Sequence, residues 1–415
     1  MLATTAKVAA RFGRNRMANL KSVLAGRPLV LPPLGSTTLD RDDVDLAWRW
    51  LEQPERWFER DPVEEFERSF ARWNGSEHAY AFIGGRVALS ACIEALELEA
   101  GDQVIVPGYT CVVVPNAFDY AGIEVVYCDI ELETFGPDIE SVETRLTSRT
   151  RAIVIQHLYG LVCRHYEALL ELARRRGLKV IEDCAHCTGA EFKGRKIGSF
   201  SDLAFYSCEQ SKLFTTIQGG LAVTNDPALA VGLERYRDRA PYPQRDWIRS
   251  LLHNIPLNYY QCKHSQRWWI GEIAEHRYGR FRLISTTAEE ERGRRPAHYG
   301  CRMPAPVAAI GLNQLRKLDG YNRARRSGAQ RWRAWCAAQG YAAPLELPES
   351  EPVYLRFPVL VEAARKTDTS WAVEQLKVAP GVWFMTHLHP AQREVRGCPR
   401  ADRAVRECIN FPCLP

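Results

Sequence analysis

The chain has no uninterrupted apolar stretch of the roughly 18–20 residues that a membrane-spanning helix needs, so no span is expected. It has no recurring CxxC pairs at zinc-site spacing. Of thirteen cysteines, only Cys184 and Cys187 stand three apart. That single pair falls in the loop behind Asp183 and is read as incidental, not as a redox or metal motif. The cysteines are scattered and odd in number, which suits free thiols in a reducing cytosol, and a cytoplasmic location is expected. A net charge of +5 over 415 residues is too small to argue for or against nucleic acid. Acid is absent from residues 1–39, which carry Lys7, Arg11, Arg14, Arg16, Lys21 and Arg27. A transit peptide or an amphipathic surface helix has this look. The segment lacks the apolar core and cleavage site of a secretory signal. Residues 1–40 are therefore read as a solvated basic leader without membrane contact.

What is present is length enough for a large core and more than one domain. Asp43 to Glu65 reads as helical, and from there the text alternates in a βα rhythm. Gln103–Pro107, Glu124–Cys128, Ala152–Ile155, Leu178–Ile181, Asp202–Ser207 and Leu221–Thr224 read as strands. Val87–Leu98, Cys111–Tyr120 and Tyr166–Arg176 read as helices between them. Strands separated by helices need crossovers, so the sheet is expected to be mostly parallel. The fold class is α/β: a large sheet domain flanked by helices over residues 41–245, and a smaller α/β domain over 305–415. That second part begins with a long helix and includes a strand at Val353–Phe357.

Residues 246–304 interrupt the rhythm. Trp247, Tyr259, Tyr260, Tyr278 and Phe281 interleave there with Arg249, Arg277, Arg280 and Arg282. Basic-aromatic text can bind single-stranded nucleic acid. It equally builds arginine-covered helices at a dimer interface or over a substrate mouth, and that is the reading adopted, with no nucleic-acid partner.

The chemistry centres on Lys212, presented after a short apolar run and followed by Gly219-Gly220. A lysine so placed can form a Schiff base with an aldehyde cofactor. Lys179-Val-Ile-Glu-Asp183 is a buried-type strand ending in a carboxylate. Pyridoxal phosphate needs both, a lysine for its aldehyde and an acid to keep its pyridine nitrogen protonated. Gly84-Gly85-Arg86, directly before a helix, offers backbone N–H groups and a helix dipole to a phosphate.

These segments occur in one order, together with Gly101–Pro107, His157-Leu-Tyr-Gly160 and Val180–His186. The chain resembles the DegT/DnrJ/EryC1/StrS sugar aminotransferases, fold-type I pyridoxal-phosphate enzymes, from about Phe58 to the C-terminus. The resemblance implies pyridoxal 5'-phosphate as cofactor, Lys212 and Asp183 as catalytic residues, and a phosphate held at Gly85 and Ser207. It implies that His186 approaches the cofactor's ring hydroxyl. It implies amino transfer from glutamate or glutamine to a keto group of a nucleotide-linked sugar, within a homodimer. A keto-cyclitol acceptor, or a scaffold subunit of the same fold without activity, are the alternatives. The family's dehydratases typically carry histidine in place of the lysine, so Lys212 argues against that branch.

Three positions depart from the family pattern. Arg86 stands where the family has Thr or Ser, and either grips the phosphate or occupies its site. Cys111 stands where an aromatic usually stacks on the ring, leaving Tyr109 or another side chain to take that part. Gly300 replaces an asparagine that reaches the partner's phosphate, while Arg302 remains as a residue to cross the interface.

Overall fold

The computed structural model describes residues 38–263, 268–283 and 285–414, so the basic leader lies almost wholly outside the described residues. The first two helices are α1 (Arg41–Leu51) and α2 (Asp61–Asn74). Asp40 and Asp43 form a capping box at the start of α1. Gly75, in the left-handed region at φ 74°, ends α2.

Seven strands follow: β1 (His78–Phe82), β2 (Gln103–Pro107), β3 (Glu124–Cys128), β4 (Thr150–Gln156), β5 (Lys179–Asp183), β6 (Leu203–Ser207) and β7 (Gly220–Thr224). They form one sheet in the order β1-β7-β6-β5-β4-β2-β3. The pairs from β6 through β3 are parallel, and β7 runs antiparallel to both neighbours. Every residue of β2, β6 and β7 is buried, because helices cover both faces. That is why these strands read as continuous apolar runs. The crossovers include α3 (Gly85–Ala95) and α4 (Val113–Asp119).

The parallel strands all end at one edge, where open α/β sheets bind ligands. Asp183 ends β5 and Ser207 ends β6 at that edge. Gly84 follows β1 there, and Gly220 begins the reversed strand β7. A Cβ at Gly220 would lie 2.4 Å from the backbone nitrogen of Gly85, so only glycine lets α3 start this close to the sheet.

After β7 come α5 (Pro227–Arg239), α6 (Arg245–Lys263) and α7 (Trp268–Tyr278). The 35-residue α8 (Ala305–Gln339) is next. Its first half, with Ile310, Leu315 and Leu318, joins the core on the sheet. Its second half, with Ala329, Trp332 and Cys336, joins a second core. A boundary at residue 305 therefore does not coincide with a change of core. The second core also takes Tyr109 and Tyr159 from the sheet side. The expected strand Val353–Phe357 is corrected: pairing starts at Phe357, where Phe357–Leu360 runs antiparallel to Cys408–Phe411. Tyr354 has φ 48°, which breaks an extended run. Among the described residues no helix is long and apolar enough to cross a membrane.

Candidate active site

A cavity of about 820 Å³ opens at the strand-end edge. Its lining includes Gly84, Gly85, Arg86, Cys111, Asp183, His186, Ser207 and Lys212, seven of the eight expected site residues together with Gly84. Only Arg302 lies elsewhere.

Lys212 follows the turn whose amide is held by Glu209, with Lys212 N–H donating to the Glu209 carbonyl at 2.9 Å. Among the described residues its Nζ has no hydrogen bond or ion pair. It lies 5.9 Å from the ring centre of Trp383. Asp183 is 7 % exposed and accepts the Ala185 N–H at 3.0 Å. Burial raises its carboxyl above the usual range, against the pull of that N–H and of the Lys212 charge. A buried carboxylate in this condition is set for a cationic partner. Behind it, His157 accepts the Cys163 N–H at Nδ1, which puts the ring proton on Nε2, 3.2 Å from Glu182. Tyr166 and the Gly198 N–H also donate to Glu182, so the end of β5 is held from below.

His186 is buried and accepts the Tyr159 N–H at Nδ1, 3.4 Å away. Burial, then Lys212 and Arg356, push its pKa well below 6.5. The ring is therefore neutral with its proton on Nε2, a donor. It stacks on Trp383 at 5.8 Å and 22°.

Gly84 caps α3 without a side-chain bond. The Val87 N–H donates to the Gly84 carbonyl at 3.0 Å, which leaves the Gly85 and Arg86 N–H groups for a ligand. A Cβ at Gly85 would sit 3.0 Å from Ser207 Cβ. The glycine thus keeps a close cradle between the helix start and the serine. Together, the cradle, the unpartnered Lys212 amine and the buried Asp183 carboxylate fit an aldehyde-bearing pyridine phosphate.

Three expectations need correction. Arg86 neither stands free to grip a phosphate nor stands alone as a plug. Its guanidinium pairs with Glu290, whose side chain is 1 % exposed, and donates to the Ser285 carbonyl. Tyr109 does not take over from Cys111. It is fully buried in the second core, accepts the Phe384 N–H at 3.0 Å and is 3.1 Å from the Tyr159 hydroxyl. Cys111 stays in the cavity wall, its thiol pushed up by burial despite Lys212 and Arg86. Arg302 serves its own chain instead of reaching outward. It donates to the Ala240 carbonyl at 2.9 Å and the Arg237 carbonyl at 2.8 Å, closing the end of α5, and covers Tyr242.

The structure adds residues that sequence reasoning missed. Trp383, Phe384, His389 and Pro390 come from the second core and wall the cavity more than 170 positions after Lys212. The run Thr386-His387-Leu388-His389-Pro390 was the available signal; residues 388–389 pair in parallel with Thr110–Cys111. From 244–299 the wall takes Gln244, Asp246, Trp247, Ser250, Ser285, Glu289, Glu290 and His298. None of the arginines between 277 and 302 lines it. Among the described residues, the carboxylates this segment brings to the wall are Asp246, Glu289 and Glu290, of which Asp246 pairs with Arg249 and Glu290 with Arg86.

His389 supplies a pH test. Burial, then Lys366 and Lys212, lower its pKa from 6.5 to about 4. The folded ring stays neutral where the unfolded one charges. Stability is complete above pH 6.5 and is lost as pH falls towards 4, by up to about 3 kcal/mol. Thermal melts across this range should show the loss, and His389→Gln should flatten it.

The sequence profile of the DegT/DnrJ/EryC1/StrS aminotransferase family matches residues 40–267 and 270–415. GDP-perosamine synthase of Caulobacter vibrioides is 39% identical over 183 residues, 44% of this chain and 49% of that protein. L-glutamine:scyllo-inosose aminotransferase of Streptomyces griseus is 34% identical over 271 residues, 65% of this chain and 55% of that protein. The aligned stretch thus spans about half the length of these curated relatives. Among solved structures, DesV of S. venezuelae, in complex with a ketimine intermediate, is 26% identical with TM-score 0.68, covering 93% of both chains. The aminotransferase from Psychrobacter cryohalolentis is 24% identical with TM-score 0.71, covering 93% of this chain and 95% of that one, a likeness of fold. The chain belongs to the DegT/DnrJ/EryC1/StrS aminotransferase family.

Proposed function

We propose that this member of the DegT/DnrJ/EryC1/StrS family is an aminotransferase that uses pyridoxal 5'-phosphate to move an amino group onto a ring ketone. The observation that carries this is the meeting of Lys212, Asp183 and the Gly85–Ser207 cradle in one cavity. When bound, the cofactor supplies an aldehyde for primary amines and a ring that takes up an electron pair.

The chain's residues do the rest. The Lys212 Nζ would hold the cofactor's aldehyde carbon and, as a free amine, would move a proton at the amino-bearing carbon. Asp183 keeps the pyridine nitrogen protonated. His186, with its proton on Nε2, would donate a hydrogen bond to the ring oxygen. The Gly85 and Arg86 N–H groups at the start of α3, with Ser207, would take the phosphate. Trp383 and Phe384 close the inner wall against water.

The donor is glutamate or glutamine. The acceptor is a nucleotide-linked sugar or a keto-cyclitol. Relatives named for each stand at similar identity. Nitrogen-labelled glutamate and glutamine, offered with a panel of keto-sugar nucleotides and scyllo-inosose, test the reading. Label in a ring amine supports it. No label in any acceptor refutes amino transfer, and the acceptor that gains label selects the class. A homodimer accompanies this reading, since a two-fold interface lets one surface serve twice. Light scattering coupled to gel filtration reads it directly.

A further inference from the structure

The departure at Arg86 has a counterpart 204 positions later in the chain. Residues 285–299 form a strap along the mouth of the cavity, and its bonds converge on the first turn of α3. Arg86 pairs with Glu290 and donates to the Ser285 carbonyl. Tyr299 donates to the Arg86 carbonyl at 3.0 Å. Asn116 in α4 donates to the Glu290 carbonyl at 2.7 Å.

The Glu290 carboxylate faces inward. It accepts the Thr287 N–H at 2.9 Å, which closes the strap's own turn. The Arg86 side chain is 22 % exposed and Glu290 1 %. A pair this buried holds its geometry, and loss of one member strands the other charge. The same turn of α3 carries the N–H groups of the cradle.

We propose that Arg86 and Glu290 form a latch that pins the strap over the phosphate end of the cavity and so controls entry and release of the phosphate-bearing cofactor. Arg86 is then a positioning residue that acts through Glu290. Its charge is neutralised within the protein, and phosphate recognition falls to the helix N–H groups and Ser207. This rests on the cofactor reading above for the identity of the ligand, but not for the existence of the latch.

Hydrogen exchange of the cofactor-free protein isolates the latch. Arg86→Met and Glu290→Gln should each speed exchange of the amides in 285–294 by about tenfold, with the sheet unchanged. The reversed pair, Arg86→Glu with Glu290→Arg, should restore protection, and Arg86→Lys should keep most of it. Preloaded pyridoxal phosphate should leave each single variant about tenfold faster than wild type, with its absorbance maximum unmoved. Two results overturn the proposal. One is unchanged exchange in both single variants. The other is loss of cofactor affinity in Arg86→Met with wild-type affinity and release in Glu290→Gln, the signature of a direct phosphate ligand. Wild-type protein that takes up no pyridoxal phosphate would refute the cofactor reading instead, while the exchange data still judge the latch.

Discussion

Replacing Lys212 by alanine should lower kcat for amino transfer by about ten-thousand-fold or more and remove the visible absorbance of lysine-bound pyridoxal phosphate. Proton transfer by a positioned amine is worth about 10²–10⁴-fold, and the covalent attachment is lost as well. The replacement should not unfold the chain, because the Lys212 Nζ has no hydrogen bond or ion pair among the described residues and lies 5.9 Å from the ring centre of Trp383. Lys212→Arg sharpens the test. It keeps a cation against Trp383, but a guanidinium does not deprotonate and cannot carry the aldehyde. Near-normal activity in Lys212→Arg would remove the covalent role. Borohydride treatment followed by peptide mapping should place the pyridoxyl group on Lys212 in wild type and nowhere in either variant.

Asp183→Asn should weaken the cofactor and slow amino transfer by about a hundredfold to a thousandfold, the scale of about 3–5 kcal/mol for breaking a buried charge pair. The asparagine keeps an oxygen for the Ala185 N–H and loses only the charge. Its effect on the cofactor-free protein should have the opposite sign. Burial raises the Asp183 carboxyl first of all, and the Ala185 N–H and Lys212 only partly offset that. A carboxylate with a raised folded pKa costs stability once pH passes above its ordinary range. Asp183→Asn should therefore leave Tm without cofactor equal or higher at neutral pH. The rise in Tm on adding cofactor should shrink, since that rise follows RT ln(1 + [L]/Kd). A lower Tm without cofactor, together with an undiminished rise, would assign Asp183 a structural part only.

The two predictions concern residues close in the chain and on adjacent structural elements. Lys212 comes from the turn after β6, and Asp183 from the end of β5, its neighbour in the sheet. Parallel pairing carries both to the same edge. The strand-by-strand reading was therefore enough to bring them together once the sheet was known to be parallel. The same holds for Gly85 and Ser207, whose cradle needs only β1, β6 and the close passage over Gly220.

The sequence by itself determined the α/β rhythm and the buried strands, which follow from local periodicity. Lys212 and Asp183 are singled out by the family resemblance, since their spacing alone is a weak signal. Only the tertiary structure decided what Arg86, Tyr109 and Arg302 do. The family pattern assigns each a part by its position, yet its partner is distant in sequence or set by packing. Glu290 comes from the strap, Phe384 from the second core and the carbonyls at 237 and 240 from the end of α5. The same is true of the face that residues 244–299 turn to the cavity. The segment 244–299 is rich in arginine, but helix geometry turns Asp246 and Trp247 to the cavity. The charge a ligand meets is set by which face is turned inward, and composition does not record that.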